Sequence, residues 1–165
     1  MKKAINIIVA SICFLMQPLS ACGGRSIPDT FVLSIEGKIA NATKTRALTR
    51  IELLSDNRVI DSFILRDQQK TFAFNLKRNN NYTIRVSREG YVSKLICIDT
   101  RVPVFDDNFY RFAFETKLID LEASEKLNKH LLDMPIAMIY FDGKKGCFYY
   151  SKEYTNNIRR ELAMK

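Results

Sequence analysis

The chain has one histidine, His130, and four cysteines in 165 residues, with no Cys-x-x-Cys pair anywhere. A Ser-His-Asp or Cys-His centre would have to be built on His130. That residue lies in a short charged segment, Glu125 to Asp133, beside Lys126 and Lys129, and reads as solvent-exposed. One His and two distant Cys fall short of a zinc ligand set. Glycine is scarce as well, at six; Gly23-Gly24 precedes no strand and opens no helix, which excludes a phosphate-cradling loop. Asp106-Asp107-Asn108 lacks the spacing and the distal Glu of a calcium loop and reads as a strand connection. A spanning helix needs about 20 apolar residues, whereas the run Ala4 to Met16 is 13 residues long and contains Asn6 and Ser11. No catalytic residue, metal or cofactor is expected from these residues, and no internal repeat or low-complexity tract is present.

What is present is organised around Leu19-Ser20-Ala21-Cys22. Lys2 and Lys3 precede the apolar run, Pro18 breaks any helix behind it, and Gly23-Gly24-Arg25-Ser26 turns small and polar at once. A charged start, a short apolar stretch and small residues before a cut site form the layout of an export signal. The four residues closely resemble a lipobox. The resemblance implies cleavage before Cys22, a diacylglyceryl group on its thiol and acylation of its new amine. Residues 1–21 are then a lipoprotein signal peptide and residues 22–29 a lipidated linker. Two or more acyl chains, at about 0.8 kcal/mol per buried CH₂, anchor stably. The seven linker residues after Cys22 reach only about 25 Å at ~3.5 Å each. The domain must sit close to its membrane.

Composition bounds the remainder. Hydrophobic residues make up 47% and charged residues 27% of the chain, and the net charge is +8, a globular balance. Losing Lys2 and Lys3 leaves +6. In an exported protein that excess points to anionic headgroups or envelope polymers before nucleic acid. Cys13 leaves with the signal. The compartment then permits a disulfide between Cys97 and Cys147, closing about 50 residues; strand cysteines are also common as buried small hydrophobes.

After Thr30 the hydrophobic period becomes two. Phe31, Leu33 and Ile35 alternate with Val32, Ser34 and Glu36 until Gly37 interrupts. Further strands are expected around Ile51 and Leu53, over Val59–Leu65, over Thr71–Leu76 with Phe72, Phe74 and Leu76 on one face, and over Tyr82–Val86. Asp56-Asn57, Asn79-Asn80-Asn81 and Arg88-Glu89-Gly90 supply turns. Tyr91–Asp99 and Phe109–Leu121 complete seven strands at the spacing of a β-sandwich. Ser124–Leu132 reads as a short helix stopped by Pro135. Ile136–Phe141 and Cys147–Tyr150 read as two final strands, and Ser151 caps a closing helix with Tyr154, Ile158 and Leu162 on one face.

Gly37, Leu53, Phe72-Ala73-Phe74-Asn75-Leu76, Tyr82-Thr83-Ile84 and Arg88-Glu89-Gly90-Tyr91-Val92-Ser93-Lys94 resemble carboxypeptidase regulatory-like domains. Thr100-Arg101-Val102-Pro103, Phe112-Ala113-Phe114-Glu115, Pro135 to Tyr140 and Tyr150 to Thr155 resemble the version found in envelope proteins of Bacteroidota-type bacteria. The resemblance covers residues 31 to 162. It departs at Asp67-Gln68-Gln69-Lys70-Thr71, where many members carry Asp-x-x-Gly. It implies a mainly β chain: a seven-stranded, transthyretin-like β-sandwich over residues 30–121, with a small strand/helix extension over 122–165 packed on it. It also implies an adaptor role without catalytic residues.

The expected function is thus a lipid-anchored, non-enzymatic envelope accessory or adaptor, held by Cys22 and serving an envelope protein partner. A glycan- or polymer-binding module is the second reading, using Phe148-Tyr149-Tyr150 with Tyr154 and the basic residues Lys77, Arg78, Arg85, Arg88 and Lys94. An envelope hydrolase using His130 is the third. Gly23 is not the Asp that marks inner-membrane retention in the lipoproteins this chain resembles, and Gly23 to Asp29 lacks an acidic cluster. The periplasmic face of the outer membrane is the expected location.

Overall fold

The computed structural model describes residues 30–40, 47–66, 69–125 and 127–163. The signal segment, the lipobox with Cys22 and the linker to Asp29 lie outside the described residues. Among the described residues no helix is long and apolar enough to cross a membrane.

The chain is mainly β. Eleven strands are described where nine were expected, seven for the sandwich and two for the extension: β1 (Phe31–Ile39), β2 (Thr49–Ser55), β3 (Arg58–Leu65), β4 (Thr71–Lys77), β5 (Asn81–Arg88), β6 (Tyr91–Val92), β7 (Lys94–Asp99), β8 (Tyr110–Thr116), β9 (Ile119–Asp120), β10 (Ala137–Asp142) and β11 (Cys147–Tyr150). Helix α1 (Leu121–Ser124) is a single turn, and α2 (Lys152–Ala163) closes the chain. The strands form a three-stranded sheet, β4-β1-β8, a six-stranded sheet, β11-β10-β7-β5-β2-β3, and the pair β6-β9. Strand β10 runs parallel to β7, so the C-terminal region shares a sheet with the strands before it.

The alternating faces of the two larger sheets supply one core. Leu33 and Ile35 of β1, Phe72, Phe74 and Leu76 of β4, Ile51 of β2, Ile84 and Val86 of β5, and Ile96 and Ile98 of β7 are all buried in it. The Asp56-Asn57 turn has positive φ at both residues, 48° and 60°, the geometry whose twist matches a two-residue hairpin. Gly90 supplies a φ of 80° at the turn after β5.

Four expectations are corrected. Gly37 does not end the first strand, which runs on to Ile39. A Cβ there would lie 2.2 Å from Cζ of Phe72 and 2.8 Å from Cζ of Phe114, so glycine makes room for two core rings. Phe31 does not share the face of Leu33; it is exposed while Val32 is buried, because the β1–β4 register shifts between Phe31 and Leu33. Tyr91–Asp99 and Phe109–Leu121 each divide, since Tyr91-Val92 leaves the sheet to pair with Ile119-Asp120. Ser124–Leu132 is not one helix: α1 ends at Ser124 and a separate 3₁₀ turn spans Lys129–Leu131, each opened by its own cap, Asp120 and Asn128.

Thr100 is a buried polar residue that periodicity does not reveal. Its Oγ1 accepts from the Asn80 N–H (3.0 Å) and lies 2.7 Å from the Lys77 carbonyl, while its backbone N–H donates to the Asn80 carbonyl (3.0 Å). One hydroxyl thereby satisfies the turn between β4 and β5.

Candidate functional site

On the β8–β10 side of the core the two sheets part around a cavity of about 750 Å³, within the roughly 300–1,000 Å³ of small-molecule sites. Ile96 and Ile139 form its sheet wall, Phe112 and Phe114 of β8 face them, and α2 covers the remaining side with Thr155, Ile158 and Leu162. Those three helix positions fall on one stripe by the 3.6-residue period. The helix is held there at both ends. Ser151 N–H donates to the Met138 carbonyl (2.8 Å), Ser151 Oγ accepts from Tyr154 N–H (3.3 Å), and Asn128 N–H donates to the Leu162 carbonyl (3.2 Å). Tyr154 Oη donates to the Pro135 carbonyl (2.8 Å), and burial pushes that phenol above the usual tyrosine range.

The polar lining of the cavity comprises three cations, Lys94, Lys117 and Arg159, one carboxylate, Glu115, and the hydroxyls of Thr116, Tyr149, Tyr150 and Thr155. Lys94 and Arg159 both line it. Burial holds the Lys94 ammonium below the ordinary lysine range, and the Arg159 charge adds to that. The cavity's carboxylate, Glu115, is engaged by Lys38 at 3.0 Å. Thr155 is 4% exposed and its Oγ1 has no hydrogen-bond partner, although helical threonines commonly bond back to the preceding turn. A buried hydroxyl left unmatched costs about 1–3 kcal/mol.

A second feature lies at the end where β1 and β8, which run parallel, both begin. The Thr30 carbonyl accepts from Arg78 N–H (3.0 Å), and the Arg78 guanidinium donates to the Asp106 carbonyl. The start of the domain and the 101–109 connection are thereby tied together. This end exposes a group of apolar side chains beside the charged Arg101 and Asp107: Phe31, Val104 and Phe109 are exposed, and Phe105 is 92% exposed.

The residues singled out from the sequence are dispersed over the fold. Cys97 lies opposite Met138 on β10, and Cys147 lies opposite Asp142. Both are free thiols. With β10 between them, about 10 Å of interstrand spacing already exceeds the ~7 Å Cα reach of a disulfide. The structure does not bring them together. His130 is exposed in the 3₁₀ turn, where its backbone N–H donates to Asn128 Oδ1; no described hydrogen bond joins its imidazole to a nucleophile. Among the described residues no three His, Cys, Asp or Glu side chains converge as a metal site. Asp106 accepts from Asn108 N–H (3.0 Å) and from Tyr110 Oη (2.5 Å), so it builds its own loop.

The basic hairpin is not a patch. The Arg78 side chain is 7% exposed and turned to the Asp106 loop, Arg88 is buried with its guanidinium over the Tyr91 ring at 5.3 Å, and Arg85 pairs with Glu52 at 2.7 Å. Lys94 belongs to the cavity. At the other end, Phe148 is core, while the Tyr149 ring stacks on Tyr150 at 5.0 Å and carries Lys145 Nζ 3.2 Å from its centroid.

Compared with known proteins, the chain matches no family model and no curated protein.

Proposed function

We propose that the chain is a lipid-anchored, non-enzymatic binding module of a bacterial envelope, built on a transthyretin-like sandwich and held by acylated Cys22 at the periplasmic face of the outer membrane. The observation that carries the reading is a coincidence at one end of the fold. The seven residues after Cys22 reach at most about 25 Å and lead to Thr30. Around Thr30 the surface presents Phe31, Val104, Phe105 and Phe109. A tether that ends at the apolar pole would hold that pole against the bilayer, where exposed rings are favourable. The opposite pole and the cavity would then be left for a partner among outer-membrane proteins or the adjoining polymer.

Mass spectrometry of the mature N-terminus tests the anchor directly. An acylated Cys22 is expected, and Cys22→Ala should release the protein from the membrane fraction. An unmodified Cys22 on membrane-bound protein would overturn the reading. Proteinase K on intact cells tests the face: survival of the protein is expected, and its loss while periplasmic markers survive would place it outside.

A further inference from the structure

We infer that the cavity between α2 and the β8–β10 side is a binding site for a single acyl chain ending in an anionic head. The walls are apolar and aromatic: Ile96, Ile139, Phe112, Phe114, Ile158 and Leu162. They suit a flexible hydrocarbon better than a polar solute, since burying unmatched polar groups is costly. The head is specified by what the cavity contains and lacks. Half-buried Lys94 and the exposed Arg159 and Lys117 bring three positive charges to the lining, and Lys38 already engages Glu115 at 3.0 Å. No ion pair among the described residues joins a carboxylate to Lys94 or Arg159.

Thr155 Oγ1 is the independent third observation. It is buried, unpartnered and one helical turn from Arg159 on the same face. A carboxylate in the cavity would accept from Lys94 and Arg159, and from the hydroxyl once the Thr155 side chain rotates about χ1 to bring its covered Oγ1 to the cavity face. The anion would also relieve the strain on Lys94, whose charged form is disfavoured by burial and by Arg159. The inference deepens the binding-module reading by giving its ligand class, and depends on that reading only for its setting in the envelope.

The test is calorimetric titration of the full chain carrying Cys22→Ala with dodecanoate, dodecanol and dodecyltrimethylammonium, each below its micelle concentration. Dodecanoate should bind more tightly than dodecanol, and the cationic amphiphile should not bind. Lys94→Met with Arg159→Met should weaken dodecanoate about tenfold or more, as expected for lost charge-assisted hydrogen bonds, and leave dodecanol unchanged. Thr155→Val, which keeps shape, should weaken dodecanoate severalfold with the thermal transition intact. Equal binding of acid and alcohol, or an undiminished affinity in the double variant, would overturn the anionic head. No binding of dodecanoate would overturn the site. The Cys22 mass measurement is separate, so the anchor can fail while the cavity stands, and the reverse.

Discussion

The two sides of the sheet pair are closed in opposite ways. On the β3–β4 side the rings of Phe63, Phe74 and Phe72 meet at centroid distances of 5.1 and 5.8 Å, and Phe72 continues to Phe114 at 6.0 Å. Gly37 surrenders its side chain to let them in. On the β8–β10 side Tyr110, Phe141 and Phe148 close one end at 5.4 to 5.7 Å, and beyond them the sheets part around the cavity. The same alternating pattern feeds both sides. What differs is the occupant of the gap: interlocked rings in one case, an amphipathic helix bearing threonine and arginine in the other. Close packing is worth stability, and a hollow of this size forgoes it. Retention of the hollow with a buried, unmatched hydroxyl is the feature that a ligand accounts for.

The largest effect should come from truncating the filled side. Leu76→Ala, at a fully buried position of β4, is expected to cost about 3–5 kcal/mol in urea unfolding. Ile158→Ala, beside the hollow, should cost about 2 kcal/mol or less, because fewer atoms lose a neighbour. Equal costs would erase the contrast. Next come additions of volume. Gly37→Ala forces a Cβ to 2.2 Å from a ring that Phe74 and Phe114 prevent from retreating, and overpacking costs about 1–3 kcal/mol. Ala137→Leu adds more volume to the cavity wall and should change stability by less than about 1 kcal/mol. A large loss there would mean that the cavity side is packed after all.

How much of this the sequence announced depends on the range of the interaction. Phe72-Ala73-Phe74-Asn75-Leu76, Asp56-Asn57 and the Ser151 cap were legible because each is decided within a few residues. Glycine within a strand signals either an ending or a close approach, and at Gly37 only the distant Phe72 and Phe114 decide which. Phe31 and the division of the two long strands were hidden for a similar reason: bulges and partner changes leave periodicity intact. The cavity draws residues from β7, β8, β10 and α2, and no local pattern joins them. Lys94 stands in sequence with a basic hairpin whose arginines are buried or paired, and nothing local marks Thr155, between Tyr154 and Ile158, as a buried hydroxyl without a partner.

Thr155→Val is the third prediction and has the opposite sign. In unliganded protein the variant removes a buried hydroxyl without a partner and keeps its shape. Thermal stability should therefore rise, by about 1 kcal/mol. A fall would mean that the hydroxyl is satisfied in solution.

The smallest expected effect concerns the closed end of the cavity side, where Tyr110 both packs and hydrogen-bonds. Its hydroxyl donates to Asp106 at 2.5 Å and holds that carboxyl below the ordinary aspartate range, with Asn108 N–H assisting. The same bond pushes the Tyr110 phenol upward. A depressed carboxyl contributes stability that is present above its unfolded value of about 3.9 and lost as pH falls through the lower folded value. A raised phenol contributes stability that is present below about 10 and lost as pH rises through its higher folded value. Tyr110→Phe keeps the ring contacts to Phe141 and Phe148, deletes the phenol's linkage and removes the largest share of the Asp106 one, leaving that of Asn108 and Arg78. The difference in thermal midpoint between the native chain and this variant should be widest on the plateau between about pH 4 and 10 and narrow at both extremes. Midpoints measured across that range decide it. A difference that stays constant with pH would show that the ring, and not the hydroxyl bond, closes this end, and that packing alone separates the filled side from the hollow one.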